Sequence, residues 1–447
     1  MSASGRCAVA MILVLVAAGV AVAEPAPVLT TVRTDAANAD WYQFLGPTRN
    51  GICEGPTLLS AWPETGPKVL WKVDCLPGWS GPMVKDGVVV LMERPGKKVQ
   101  PDGDETIRAF DAATGKELWK VLYPCTFKGD QHVYGPAATP AGVADKVVCL
   151  CINGRLRCLM LRTGKLVWEK DLVAEYGILT KKGHAIYDSS SSPLVVDDRV
   201  VMMACGSAGL VALKVEDGKE VWRTETFSNY GSSTGFMWQG ETPVVIAVPS
   251  YLDRKRFRGG DVLAFDGRDG QLLWTGKAGK AYYNTPPPIA AGGMVFVEGG
   301  SGDGPTYAFI PPEEGKGRAT EAWKDDDHQV RFSNYLCYRG LVFGQGWRAH
   351  GGPKKFWCAD PATGKLHWEQ QIKDKYQYQW LYASDGKLIQ FYDGGELVLF
   401  DADARDGIRQ LARAKVSDHT WSQPALCHGK MYIRTNTQLL CLDLAGR

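Results

Sequence analysis

Four histidines, His132, His184, His328 and His419, each lie a few residues ahead of an aromatic side chain that is followed by small or amide residues. Such segments read Trp79-Ser80-Gly81-Pro82, Tyr134-Gly135-Pro136, Tyr187-Asp188-Ser189, Tyr230-Gly231-Ser232, Tyr283-Asn284-Thr285-Pro286, Phe332-Ser333-Asn334, Tyr378-Gln379-Trp380 and Trp421-Ser422-Gln423-Pro424. Aromatic faces stack on flat or sugar-like ligands or anchor a partner's loop, and amides fix orientation. Imidazoles titrate near neutrality and can ligate a metal or move a proton. The candidate binding residues are therefore Trp79, His132, Tyr134, His184, Tyr187, Asp188, Tyr230, Tyr283, Asn284, Asn334, Trp380, His419, Trp421 and Gln423. The same positions also suit packing and turn formation. The histidines belong to widely separated segments, so neither a metal site nor a catalytic set is assigned. Asp325-Asp326-Asp327 adds carboxylates beside His328, whereas His350, His367 and His428 sit elsewhere and read as structural or solvated. Glu298–Gly304 is Gly-rich but lacks the Lys and Ser/Thr of a phosphate loop. Ser189–Ser192 lacks the context of a nucleophile elbow.

A repeat brings those segments to one face. A Gly leading into a Trp-ending strand occurs at Gly66–Trp71, Gly115–Trp119, Gly164–Trp168, Gly218–Trp222, Gly270–Trp274, Gly317–Trp323 and Gly364–Trp368. Gly407–Leu411 is a degenerate copy with Leu for Trp. Successive marks are 48, 49, 54, 52, 49, 45 and 43 residues apart, room for four short strands and their turns. Asp86-Gly87, Asp145-Lys146, Asp197-Asp198, Gly292-Gly293, Arg339-Gly340, Asp385-Gly386 and His428-Gly429 recur between apolar runs, as tight hairpins require. No window carries a long apolar period of 3.6 with caps, so helices are expected to be scarce. The expected fold is all-β, an eight-bladed β-propeller of four-stranded antiparallel blades over residues 41–447. Gln438–Leu444 matches a third strand, and Lys68–Val73 supplies the fourth, so pairing of the N- and C-terminal strands closes the ring. Trp71, Trp119, Trp168, Trp222, Trp274, Trp323 and Trp368 are structural docking residues, each an aromatic that can bury about 150–250 Å² between blades.

Charge excludes one class of partner. The chain has 447 residues and a formal net charge of +2, too little to gather nucleic acid. Residues 1–23 read as a signal peptide: Arg6, an apolar run from Ala8 to Ala23, and Ala21-Val22-Ala23 at the cleavage point. An uncleaved anchor is the alternative. Residues 24–40 read as a flexible spacer. No later segment is apolar enough to span a membrane. The expected location is periplasmic or secreted, and the expected state is a monomer.

Twelve cysteines occur, so export would permit disulfides. A two-residue Asn153-Gly154 turn between Lys146–Ile152 and Arg155–Leu161 would place Cys149 opposite Cys158, a candidate cross-strand disulfide. Two buried thiols are the alternative.

Ala112-x-x-Thr-Gly-Lys-x-x-Trp119 resembles the tryptophan-docking motif of the PQQ-like propeller repeat family, as do Leu161–Trp168 and Pro361–Trp368. Trp41-Tyr-Gln-Phe-Leu-Gly46-Pro47-x-Arg49-x-Gly51 is similar to the lead-in of many secreted PQQ-like repeat proteins. The resemblance implies one of two branches. Quinoprotein dehydrogenases hold pyrroloquinoline quinone (PQQ) and Ca²⁺ in the funnel, with a catalytic Asp and a disulfide between adjacent cysteines. This chain has no Cys-Cys pair. The BamB-like branch is a protein-binding scaffold without cofactor, anchored by a lipoprotein cysteine that is missing here. The sequence therefore favours a non-catalytic scaffold that binds protein or cell-envelope polymer, with no cofactor expected. A PQQ-dependent oxidoreductase using calcium is the alternative.

Overall fold

Short apolar runs joined by left-handed turns build every sheet. The computed structural model describes residues 39–95, 102–126, 135–177, 191–204, 208–225, 234–249, 260–279, 286–299, 304–346, 353–372, 378–403 and 405–446. The signal and spacer segments fall almost wholly outside them. Eight sheets are present. Blade 1 runs outward through Met83–Lys85, Val88–Glu93, Asp102–Asp111 and Glu117–Thr126. Blades 2 to 7 span residues 141–171, 194–223, 234–277, 289–325, 336–372 and 379–415, and blade 8 spans 425–443. At the first hairpin of a blade, Asp86 and Gly87 adopt φ of 49° and 73°, and Asp385 and Gly386 adopt 48° and 70°. Positive φ at both central residues matches the strand twist. In blade 2 the turn sits one residue earlier than the sequence pattern implied, with Val143 paired to Lys146 and Ala144 at φ 49°.

Each blade carries a bulge between its third and fourth strands beside the docking position. The residue opposite each docking Trp is small: Ala109, Cys158, Ala212, Ala264, Ala308, Cys358 and Cys441. In blade 7 the sizes are exchanged, with Leu399 facing Ala412. Ala412, not Leu411, therefore holds the docking position there. Bulk from one strand replaces bulk from its neighbour, which preserves volume at the wedge.

The wedge itself is an indole laid over the next blade's Gly. A Cβ on Gly115, Gly164, Gly218, Gly270 or Gly364 would meet the preceding blade's Trp within 2.6–2.8 Å. Trp71, Trp119, Trp168, Trp222 and Trp323 then donate Nε1–H to carbonyls of Ala112, Leu161, Val215, Gly267 and Pro361. Trp274 differs, donating to Gln239 Oε1 within its own blade. Gly317–Arg318 adds a short parallel fifth strand beside Trp274 and Thr275, an addition to the expected four-stranded plan. The apolar core lies between blades, as in the cluster of Leu156, Val200 and Leu213 joining blades 2 and 3.

Lys68–Asp74 pairs with Gln438–Asp443 and completes blade 8 as its outermost strand. Among the described residues one α-helix occurs, Leu172–Tyr176, N-capped by Asp171. No helix among them is long and apolar enough to cross a membrane.

The anticipated Cys149–Cys158 bridge is corrected. Cys149 faces Arg157 and Cys158 faces Val148, and both thiols are free. The loop is longer than two residues, since Gly154 N donates to Cys151 O and Cys151 N to Arg155 O. That slip of one residue sends the two side chains to opposite faces. Cys149 joins the cluster between blades 1 and 2, and Cys158 that between blades 2 and 3.

Candidate functional site

The axis of the ring is filled by the chain's own N-terminal strap, residues 39–58. On the face carrying the first-hairpin turns, Asp40 accepts from the amide of Asp86 and lies 2.7 Å from His428 Nε2. Asp40 thus touches the first-hairpin turns of blades 1 and 8. Inside the ring, carbonyls of Trp41 and Tyr42 accept from Val84 and Gly142, on the innermost strands of blades 1 and 2. Gln43 Oε1 accepts from Val195 of blade 3 at 2.9 Å. Phe44 and Leu45 join the cluster of Ile289, Phe296 and Val342 from blades 5 and 6, and Phe44 meets Trp380 of blade 7 edge-on. Leu45 N donates to Gln423 Oε1 of blade 8 at 3.3 Å. The strap returns along blade 7, where Gly51 and Cys53 exchange backbone hydrogen bonds with Ala383.

The tip of the strap is strained and charged. Leu45 and Arg49 have φ of 59° and 53°, unusual for bulky residues. Arg49 is 1 % exposed. Its Nη1 donates to Pro193 O at 2.9 Å and its Nη2 to Thr234 Oγ1 at 3.1 Å. Burial lowers its pKa to about 9. These partners lie where the chain leads into blades 3 and 4, so the tip forms the floor of the mouth on that face.

One wall of the mouth is an aromatic arc. Phe332 stands 4.7 Å from Tyr378, Tyr378 4.8 Å from Trp421, and Trp421 4.8 Å from Trp79, measured between ring centroids. The arc spans the lead-ins of blades 6, 7, 8 and 1, and its four rings are half-buried. The exposed His419 packs edge-on against Trp421 at 5.8 Å, and Arg331 lies over Phe332 at 5.0 Å. Phe332 itself adopts φ 51° away from any hairpin turn.

Polar atoms beside the arc have capacity left over. Trp421 Nε1, Gln423 Nε2, Gln379 Nε2 and Ser333 Oγ are buried without a hydrogen-bond partner among the described residues. Gln423 is oriented by the bond its Oε1 accepts from Leu45, so the unused atom is the donor. Gln379 ends a buried chain: Tyr392 OH donates to Gln390, Gln390 to Gln345, and Gln345 to Gln379 Oε1. Unused buried donors are uncommon in native proteins and cost about 1–3 kcal/mol each.

Of the sequence candidates, Trp79, His419 and Trp421 are brought together in the arc, and Gln423 adjoins it. Trp380 packs on the strap instead. Asn334 is fully buried and clamps blades 6 and 7, its side chain bonding both N and O of Leu381. His132, Tyr134, His184, Tyr187, Asp188, Tyr230, Tyr283 and Asn284 lie outside the described residues. His328 sits apart, buried between Asp325 Oδ2 at 2.7 Å and Glu369 Oε2 at 2.6 Å. Burial alone would lower its pKa, but those two hydrogen bonds outweigh it and raise it. Sequence reasoning missed the strap as a floor. Its signal was the Trp41–Gly51 lead-in, whose polar Gln43 and Arg49 find partners only once the ring has closed.

The described mouth does not fit the quinone cofactor that the resemblance implies. PQQ is a rigid tricarboxylate, which calls for several converging cations and, for its calcium, carboxylates. Arg49 and Arg434 spend their terminal nitrogens on main-chain carbonyls and a hydroxyl. Among the described residues no group of three or more His, Cys, Asp or Glu could hold a metal.

Comparison with known proteins agrees with the repeat. Over 144 residues the chain is 31% identical to the dehydrogenase subunit of a quinone alcohol dehydrogenase from Gluconacetobacter polyoxogenes, covering 28% of this chain and 17% of that protein. It is 24% identical over 221 residues to the outer membrane protein assembly factor BamB of Moranella endobia (strain PCIT), covering 49% of each. The chain thus spans about half or less of the length of these relatives. Quinohemoprotein alcohol dehydrogenase from Comamonas testosteroni superposes with a TM-score of 0.64 at 14% identity, covering 93% of this chain and 82% of that one. BamB from Moraxella catarrhalis superposes at 0.57 and 12% identity, covering 84% and 100%. At these identities the superpositions establish the fold alone. A family model described as outer membrane protein assembly factor BamB, built on PQQ-type repeats, matches residues 50–247 and 209–331, and this propeller belongs to that family.

Proposed function

We propose that this chain is an exported, non-catalytic propeller that holds a protein or cell-envelope ligand at the mouth formed by blades 6, 7, 8 and 1. The supporting observation is the arc of Phe332, Tyr378, Trp421 and Trp79 beside unspent polar atoms, over a floor supplied by the strap. Aromatic side chains next to oriented polar groups are how binding surfaces combine area with specificity. His328 is held by two carboxylates away from the arc, and His419, the imidazole at the arc, packs edge-on against Trp421. Periplasmic or secreted location and a monomeric state are part of this reading.

Cross-linking the purified chain in envelope extract tests it. A Trp79→Ala/Trp421→Ala variant is expected to lose the captured ligand while keeping a cooperative melting transition. Equal capture by both would remove the mouth from the account. The second reading, a PQQ-dependent oxidoreductase, draws support from the 31% identity to the dehydrogenase subunit. Titration with PQQ and Ca²⁺ separates the two. Saturable binding with alcohol-dependent dye reduction would replace the scaffold reading.

A further inference from the structure

We infer that the ligand held at this mouth is a carbohydrate, its ring seated against the Trp79–Trp421–Tyr378 arc and its hydroxyls taken up by Trp421 Nε1, Gln423 Nε2, Gln379 Nε2 and Ser333 Oγ. This rests on the mouth being the binding face and names the chemistry that it takes.

Three features of the site point to a sugar. The first is the kind of wall. Half-buried rings leave part of their faces to a ligand, and the C–H faces of a sugar pack on such rings while its hydroxyls remain at the edge. The second is the unused hydrogen-bonding capacity. It consists of an indole N–H, two amide N–H₂ groups and a hydroxyl, all uncharged. Neutral donors match an acceptor-rich neutral ring. A purely apolar anchor would leave them unsatisfied, and an unmade buried hydrogen bond is the costly outcome. The third is rigidity. Gln423 is fixed by the strap, Gln379 by the Gln345–Gln390–Tyr392 chain, and the neighbouring lead-ins by the Asn334 clamp. Preorganised polar groups lose little freedom on binding, which suits a weakly buried, highly hydrated ligand. Trp421 lies in the middle of the arc, between Tyr378 and Trp79.

The test uses the full chain and three neutral probes: cellohexaose, xylohexaose and mannohexaose. Intrinsic fluorescence and isothermal titration are expected to show saturable binding of at least one. Trp421→Phe keeps a ring but removes the N–H, and should weaken binding about tenfold, one decade of affinity. Trp421→Ala should abolish it, while Leu118→Ala on the outer rim should leave it unchanged. Failure of every probe to bind at millimolar concentration overturns the inference, as does binding that Trp421→Phe and Trp421→Ala both leave intact. The mouth itself is judged separately. If no sugar binds yet Trp79→Ala/Trp421→Ala loses cross-linked protein, the carbohydrate inference falls and the mouth reading stands. If neither assay responds, both fall.

Discussion

Two sets of indoles in this ring share a residue type and differ in how they spend it. The docking set, Trp71, Trp119, Trp168, Trp222 and Trp323, lies flat on the next blade's Gly and gives each N–H to that blade's backbone. The mouth set, Trp79 and Trp421, packs ring against ring across blades 8 and 1, and Trp421 keeps its N–H unspent. In the first set, shape and hydrogen bonding are both used up by folding. At Trp421, in the second, folding supplies position and leaves the N–H over. That difference, rather than aromatic content, marks a candidate binding surface. Trp41 warns against using an unspent N–H alone, because its Nε1 also lacks a described partner while its ring is fully buried on the axis.

The comparison breaks most readily by truncation. Trp119→Ala is expected to cost about 3–5 kcal/mol in chemical denaturation, as for other buried large-to-small changes. Trp421→Ala should cost less, because part of its surface faces solvent and its N–H gives up no hydrogen bond. Equal losses would mean that the mouth is only another wedge. Gly164→Ala comes next. Its φ of 69° and a Cβ 2.6 Å from Trp119 Cε3 predict a loss of about 1–3 kcal/mol, read as a lower melting temperature. A finer contrast replaces only the N–H. Trp119→Phe leaves the Leu161 carbonyl unpaired and should cost about 1–2 kcal/mol beyond the lost ring area. Trp421→Phe should show no such penalty without ligand.

The smallest effects concern pH, at sites remote from both sets. The folded pKa of His328 is raised by Asp325 and Glu369 despite burial. Its stabilising contribution is therefore complete below the unfolded value of about 6.5 and fades as pH rises through the higher folded value. His328→Asn should flatten the stability profile above about pH 6.5. Glu105 behaves oppositely. Buried between blades 1 and 2, where it accepts from Ile152 N and Cys151, it is pushed up to about 7 by desolvation, against the nearby Arg157 and Arg94. Folding then favours its protonated form, so stability declines as pH rises from the unfolded value towards about 7. Glu105→Gln should remove that slope. A profile unchanged by either substitution would show that these contacts are exposed to solvent in practice.

Much of the ring was legible because propeller blades repeat their local chemistry. The Gly-to-Trp spacing gave the number of blades, and Gln438–Leu444 without a following strand gave the clasp with Lys68–Val73. The cysteine pairing was not legible, because one extra loop residue after Leu150 reverses the face on which every later side chain falls. Nor was the role of several cysteines. Cys158, Cys358 and Cys441 are small residues that make room for an indole on the neighbouring strand. Leu411 was read as the degenerate docking residue because a bulge shifts the register by one, to Ala412.

What the sequence determined by itself was periodic: strand length, turn chemistry and blade number. Local preference and spacing suffice for these, since each blade solves the same packing problem. What only the tertiary structure decided was aperiodic. The strap fills the axis, Arg49 finds carbonyls of blade 3, Asn334 becomes a clamp and Trp421 keeps a free donor. Those outcomes depend on contacts between residues of different blades or of the strap, 47 to 378 positions apart, which exist only after the ring has closed around the strap.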